Sequence, residues 1–180
     1  MKKSAKIAFC SVTGASIILL MFLGNIIPIA TYAVPCLASM LMMIAMEECG
    51  ERYAWALFFA ICALSFIIIA DKELLLIFML FLGYYPMLKK HIEKLRFPAV
   101  QAVLKLAAFN LAIAVVYMLL LLVFPISDLI SEFHTMGTAI IIALIVLGNI
   151  TFILFDYALN RVWAVYQKKL RPKLFKSLRG

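Results

Sequence analysis

Residues 137–165 read GTAIIIALIVLGNITFILFDYALNRVWAV, and the basic run QKKLRPK follows at 167–173. The long stretch holds one acid, Asp156, and one base, Arg161. Its apolar residues do not alternate with polar ones, as a half-buried strand requires; they cover every face of a helix. About 20 such residues match the hydrocarbon thickness of a bilayer. A helix also satisfies every backbone N–H and C=O within the segment, which an open strand in lipid does not.

The rest of the chain repeats this pattern. Apolar stretches run over 7–23, 27–46 (interrupted by Pro35), 53–70, 74–88 and 98–124. The 180 residues are 67% hydrophobic and 14% charged, whereas soluble domains are about 45–50% apolar and about 25% charged. A domain of this size has no core large enough to hide that excess. Soluble, disordered and collagen-like classes are therefore excluded. The sequence predicts an all-α polytopic integral membrane protein, a single bundle of six transmembrane helices followed by a basic cytoplasmic tail at 166–180.

Charge orients the bundle. The formal net charge is +8, from 17 Lys+Arg and 9 Asp+Glu. In a soluble protein that surplus suggests nucleic acid. Here the bases cluster at the chain ends and in one loop, so anionic membrane lipid is the expected partner and nucleic acid is not. With the N-terminus cytoplasmic, every base except Lys72 falls on the inner side, which predicts a multi-pass protein of the cell membrane with both termini cytoplasmic. Tyr53 and Trp55, Tyr84 and Tyr85, and Trp163 and Tyr166 fall at inner span ends, the expected place for interfacial aromatic anchors. Met1-Lys2-Lys3 before an apolar run resembles a secretory signal, but the run outlasts the usual ~7–15 residues and no A-x-A site follows, so a retained span is expected.

Few residues carry recognisable chemistry. Cys10, Cys36, Cys49 and Cys62 form no C-x-x-C pair and read as small apolar residues. Glu47-Glu48-Cys49-Gly50-Glu51-Arg52 matches EExxxR, a signature of membrane-embedded proteases. That chemistry needs histidines within hydrogen-bond reach of the carboxylates. His91 and His134 fall in loops on opposite faces, so the motif reads as a charged turn. There is no nucleophile elbow, phosphate loop or metal-ligand spacing. The expectation is no enzyme, no metal and no cofactor.

Polar residues inside the spans are costly and therefore informative. They are Gln101, Lys105 and Asn110 on span five, and Asn149, Thr151, Asp156 and Asn160 on span six. At 1.5 Å per residue, Asn110 and Asn149 each lie roughly 18 Å into their spans, near mid-membrane. Lys105 and Asp156 fall in the inner leaflet of antiparallel spans and are a candidate ion pair; the alternative is that Lys105 snorkels to the headgroups and Asp156 meets interfacial water. Asn149, Phe152 or Ile153, Asp156 and Asn160 share a face that should point inward. Asn110 and Asn149 suit either interhelical hydrogen bonds or ligand contact. With Tyr32 and Tyr117, in the outer halves of spans two and five, they are the candidates for lining an outward substrate pocket. Cys10-x-x-x-Gly14 and Ser11-x-x-x-Ala15 form a small-residue stripe on span one, suited to close packing within the bundle or against a partner helix.

Together these features resemble the substrate-binding membrane subunit (S component) of energy-coupling-factor vitamin transporters. The likeness lies in the six-span layout with cytoplasmic ends and in the stripe at Cys10, Ser11, Gly14 and Ala15. It extends to the prolines Pro28 and Pro35, the tight turn Gly50-Glu51-Arg52-Tyr53-Ala54, and a short fourth span ending in Leu82-Gly83-Tyr84-Tyr85-Pro86. The resemblance implies a small-molecule substrate bound in the outer half. It also implies a transmembrane coupling subunit and ATPase subunits as partners, with the bound subunit toppling to release its cargo inside. A different class, a non-transporting scaffold or assembly protein with a lipid- or partner-binding basic tail, fits the same composition.

Overall fold

The computed structural model describes residues 3–27, 30–123 and 138–171. Pro28, His134 and the basic residues Lys173, Lys176 and Arg179, all weighed above, lie outside them. The described residues are helical with no strand. They form α1 (Lys3–Ile26), α2 (Ala33–Cys49), α3 (Glu51–Ile68), α4 (Lys72–Ile77), a π-helical turn (Phe78–Leu82), α5 (Tyr85–Ile92), α6 (Pro98–Val123) and α7 (Thr138–Val165). A second π-helical stretch, Tyr166–Leu170, continues α7. Residues expected to open the basic tail are thus part of the last rod. Among the described residues, five segments are long and apolar enough to cross a membrane: Lys3–Ile26, Glu51–Ile68, Lys72–Ile92, Pro98–Leu120 and Ile140–Lys169.

Local chemistry explains the turns. Gly50 reverses the chain between α2 and α3 at φ 96°, a left-handed value that favours glycine, and its N–H donates to Met46 O at 2.9 Å. Asp71 caps α4: its side chain accepts from Leu74 N at 3.1 Å. Its own N–H donates to Asn25 Oδ1 at 2.7 Å, which fastens the cap to the end of α1.

The rod Lys72–Ile92 is the axis of packing. In its most apolar stretch 61% of residues are buried, against 11% in Ile140–Lys169. It lies with α2 between two cores. On one side, Ile17 and Met21 of α1, Ala38 and Met42 of α2, and Phe58 and Ile61 of α3 close on Leu74 and Phe78. On the other, Met43 of α2, Val116 and Leu120 of α6, and Phe152, Phe155 and Leu159 of α7 close on Phe81 and Tyr85. In lipid this association rests on dispersion contacts and interhelical hydrogen bonds.

The π-helical turn lets one rod serve both cores. Gly83 N reaches back five residues to Phe78 O at 2.7 Å, so the turn holds an extra residue. Tyr84 then faces α3, with its ring centroid 6.5 Å from Trp55 and 6.0 Å from Phe58. Tyr85 faces α7, 5.3 Å from Phe152 and 5.8 Å from Phe155. Aromatic pairs of this kind add about 0.5–1.5 kcal/mol each beyond area burial.

Two expectations need correcting here. The sequence pattern ends span four at 88, before Lys89-Lys90 and with Gly83 and Pro86 near its end. Instead Pro86 sits in the first turn of α5, where its missing N–H costs nothing, and the helix runs on to Ile92. Tyr85 and Tyr166 are also not interfacial anchors. Both are buried, because each hydroxyl has a carboxylate partner inside the bundle.

A Cβ on Gly83 would lie 2.6 Å from Phe58 Cε2 and 2.8 Å from the Phe78 carbonyl oxygen. Gly83→Val is expected to cost about 1–3 kcal/mol by overpacking, read as a lower melting temperature of the detergent-solubilised protein. An unchanged melting temperature would show that the close approach is not needed.

Candidate functional site

At the lysine-rich end, α5, α6 and α7 share a charge cluster whose two lysines are buried. Lys89 Nζ lies 2.5 Å from Asp156 Oδ1 and donates to the Asp156 backbone oxygen at 3.0 Å. Tyr85 Oη donates to Oδ1 at 2.6 Å. Lys105 Nζ donates to Asp156 Oδ2 at 3.1 Å and to Glu93 Oε1 at 2.7 Å, and Lys89 Nζ is 3.6 Å from Glu93 Oε1. Two ammonium groups thus meet two carboxylates, and the quartet is neutral. Lys89 is only 5% exposed and Lys105 only 8%; charges so enclosed are tolerable only when paired and hydrogen-bonded.

Sequence reasoning singled out Lys105 and Asp156 and missed the other members. The apolar stretch that ends at 88 puts Lys89 in the loop between spans four and five, and it is instead a helical residue inside the bundle. Its signal was present: Tyr85, Lys89 and Glu93 recur at intervals of four and so share one helix face. On α7 the inward face carries Phe152, Phe155, Asp156 and Leu159, while Ile153 and Asn160 are exposed.

A second polar cluster lies at the other end of the central rod, about 24 Å away by helical rise from Lys89 to Glu73. Glu73 Oε1 accepts from Tyr32 Oη at 2.6 Å and from Tyr117 Oη at 3.2 Å. Thr31 Oγ1 donates to Asp71 Oδ2 at 3.3 Å beside it. Lys72 turns away, with Nζ 3.2 Å from Ile69 O and 5.5 Å from the Phe66 ring centroid. Glu73 was not foreseen, because it follows Asp71-Lys72 and reads as part of a charged loop.

The four candidate substrate residues therefore fall into two pairs. Tyr32 and Tyr117 meet at Glu73. Asn110 and Asn149 meet each other, the amide of Asn110 donating to Asn149 Oδ1 at 2.8 Å and the reverse bond at 3.1 Å. Each amide also donates to the carbonyl four residues back, at 2.8 Å. Tyr117 and Asn110 stand about 10 Å apart along α6, and these hydrogen bonds hold each pair without joining one to the other.

The small-residue stripe divides as well. Cys10 and Gly14 are buried, and a Cβ on Gly14 would lie 2.8 Å from Leu57 Cδ1 of α3. Ser11 and Ala15 stay exposed. They border a groove of about 440 Å³ between α1 and α3, with Ala56 and Ala60 on the facing wall.

The acidic residues at the end of α2 and the start of α3 dock α5 and the end of the last rod. Glu47 Oε1 is 3.6 Å from Lys90 Nζ and Glu51 Oε1 is 3.5 Å from His91 Nε2. Glu48 Oε1 accepts from Tyr166 Oη at 3.0 Å and lies 3.2 Å from Arg171 Nε. Among the described residues no group of three or more His, Cys, Asp and Glu side chains is placed to hold a metal ion. No protein-family model matches this chain, and neither a curated protein nor a solved structure does.

Asp156→Leu leaves two buried ammonium groups short of a counter-charge and is expected to cost about 3–5 kcal/mol. Adding Lys89→Met should recover part of that loss, because the double variant removes both ends of the pair. A double-mutant cycle on unfolding in detergent measures the coupling; strictly additive losses would mean that the two residues act independently.

Proposed function

We propose that this chain is the membrane-embedded, substrate-binding subunit of a small-molecule uptake transporter, of the energy-coupling-factor type, driven by ATPases on separate subunits. The reading has the chain cross the cell membrane six times with both termini cytoplasmic. The crossing added to the five long apolar segments is α2, whose 17 residues are at the lower limit of about 17–25 for a bilayer span.

The observation that carries the proposal is the convergence of Tyr32 and Tyr117 on Glu73, at the end of the rod remote from the lysines. A carboxylate held by two hydroxyl donors can exchange one of them for an amine or hydroxyl of a ligand. Such an exchange keeps the hydrogen-bond count constant and leaves the phenol rings as flanking walls. The α1–α3 groove supports the coupling half of the proposal, since Ser11, Ala15, Ala56 and Ala60 allow another helix backbone to approach closely. The charge quartet joins α5, α6 and α7 into one body, which suits a subunit that tilts as a unit to release its cargo.

Purification from native membranes, with mass spectrometry of the bound proteins and small molecules, tests this reading. The expected result is co-recovery of ATP-binding subunits and a retained small molecule. Glu73→Gln should lose the small molecule but keep the subunits, and Ala15→Trp should do the reverse. Consistent absence of both from the unaltered protein would overturn the proposal in favour of a non-transporting scaffold.

A further inference from the structure

We infer that the cleft between α2, α5 and α7 at the lysine-rich end is a binding site for the phosphate-bearing headgroup of an anionic phospholipid. The inference rests on the membrane placement of the bundle and not on substrate uptake.

The cleft has a volume of about 250 Å³. Met43, Met46, Pro86 and Trp163 give it an apolar floor, and Lys89, Lys90 and Lys94 line it with the Asn160 amide. Two carboxylates, Glu47 and Glu93, are also in the lining. The three lysines differ in what they have left to offer. Lys89 is committed to Asp156 at 2.5 Å. Lys90 is loosely placed, 3.6 Å from Glu47 with 42% of its side chain exposed. Lys94, one helical turn further on, makes no ion pair among the described residues. Glu93 is drawn to the other side by Lys105. The cleft therefore presents two available cations, an amide donor and an indole over an apolar floor.

That combination suits a lipid headgroup better than a free anion. The lysines and the amide suit the phosphate oxygens, and the methionines and Trp163 suit the glycerol and first methylenes. A free phosphate would gain nothing from the floor. The site also lies at the end of the rods where the bases gather, at headgroup depth in the proposed topology.

The chain has two tryptophans, which makes the test direct. Trp55→Phe leaves Trp163, in the cleft floor, as the sole indole. That variant, full length and reconstituted in phosphatidylcholine vesicles, is titrated with phosphatidylglycerol brominated near the headgroup end of its chains. Saturable quenching of Trp163 at low mole fraction is expected, whereas brominated phosphatidylcholine should quench only in proportion to its abundance. Lys90→Gln with Lys94→Gln should raise the half-quenching mole fraction about tenfold or more, taking about 1 kcal/mol per lysine. Lys168→Gln with Lys169→Gln, which removes equal charge from exposed positions outside the cleft, should leave it within about twofold. Equal quenching by the two lipids, or equal effects of the two double variants, would overturn the inference. Reversal of the quenching by millimolar inorganic phosphate would also overturn it and assign the cleft to a free phosphate. An unchanged melting temperature of each variant confirms that folding is not what is being read.

Discussion

The ammonium group of Lys89 sits where water scarcely reaches, and much of the lysine-rich end of the bundle is arranged around neutralising it. Asp156 supplies the counter-charge from α7, Tyr85 supplies a hydrogen bond from the same rod as the lysine, and Lys105 with Glu93 completes the pairing from α6 and the end of α5. Apolar side chains of similar shape would stabilise the contact at least as well. What a four-member charge cluster adds is discrimination: sliding any one of the three helices by a turn would strand a charge in an apolar setting. We read it as the device that sets their register.

Much of the architecture was legible in the amino-acid sequence because lipid simplifies the reading. A long stretch apolar on every face has one sensible conformation, and the described residues are helical with no strand, although α2 begins at Ala33 where the apolar stretch begins at 27. The errors cluster where punctuation residues changed meaning. Gly83 and Pro86 look like the end of a helix, yet Pro86 opens α5 and Gly83 closes a π-helical turn. Lys89 and Lys90 read as the start of a charged loop, which placed Lys89 outside the bundle and hid its partnership with Asp156. Glu73 was obscure for a related reason: beside Asp71 and Lys72 it resembles a solvated loop, and only the fold brings Tyr32 and Tyr117 to it. The mutual pairing of Asn110 and Asn149 depends on how α6 and α7 are rotated, which spacing alone does not specify.

The two polar clusters divide the molecule by role. The quartet is closed, with each cation matched by an anion, and what it does is hold helices together. The Glu73 cluster is less symmetrical, with a single carboxylate oxygen accepting from two phenols. Between them lies the aromatic packing of Phe81, Phe109 and Phe152, in which Phe109 and Phe152 stack with centroids 4.7 Å apart.

The wide turn at Phe78–Leu82 has a consequence for how this chain tolerates insertions and deletions. One residue corresponds to about 100° of helix rotation, so losing a single residue from that turn would swing Tyr85, Lys89 and Glu93 together away from α7 while leaving Leu74 and Asp71 in place. Length is therefore constrained more tightly than side-chain identity in this segment, and the spacing between Asp71 and Lys89 is a better signature of the architecture than any individual residue within it.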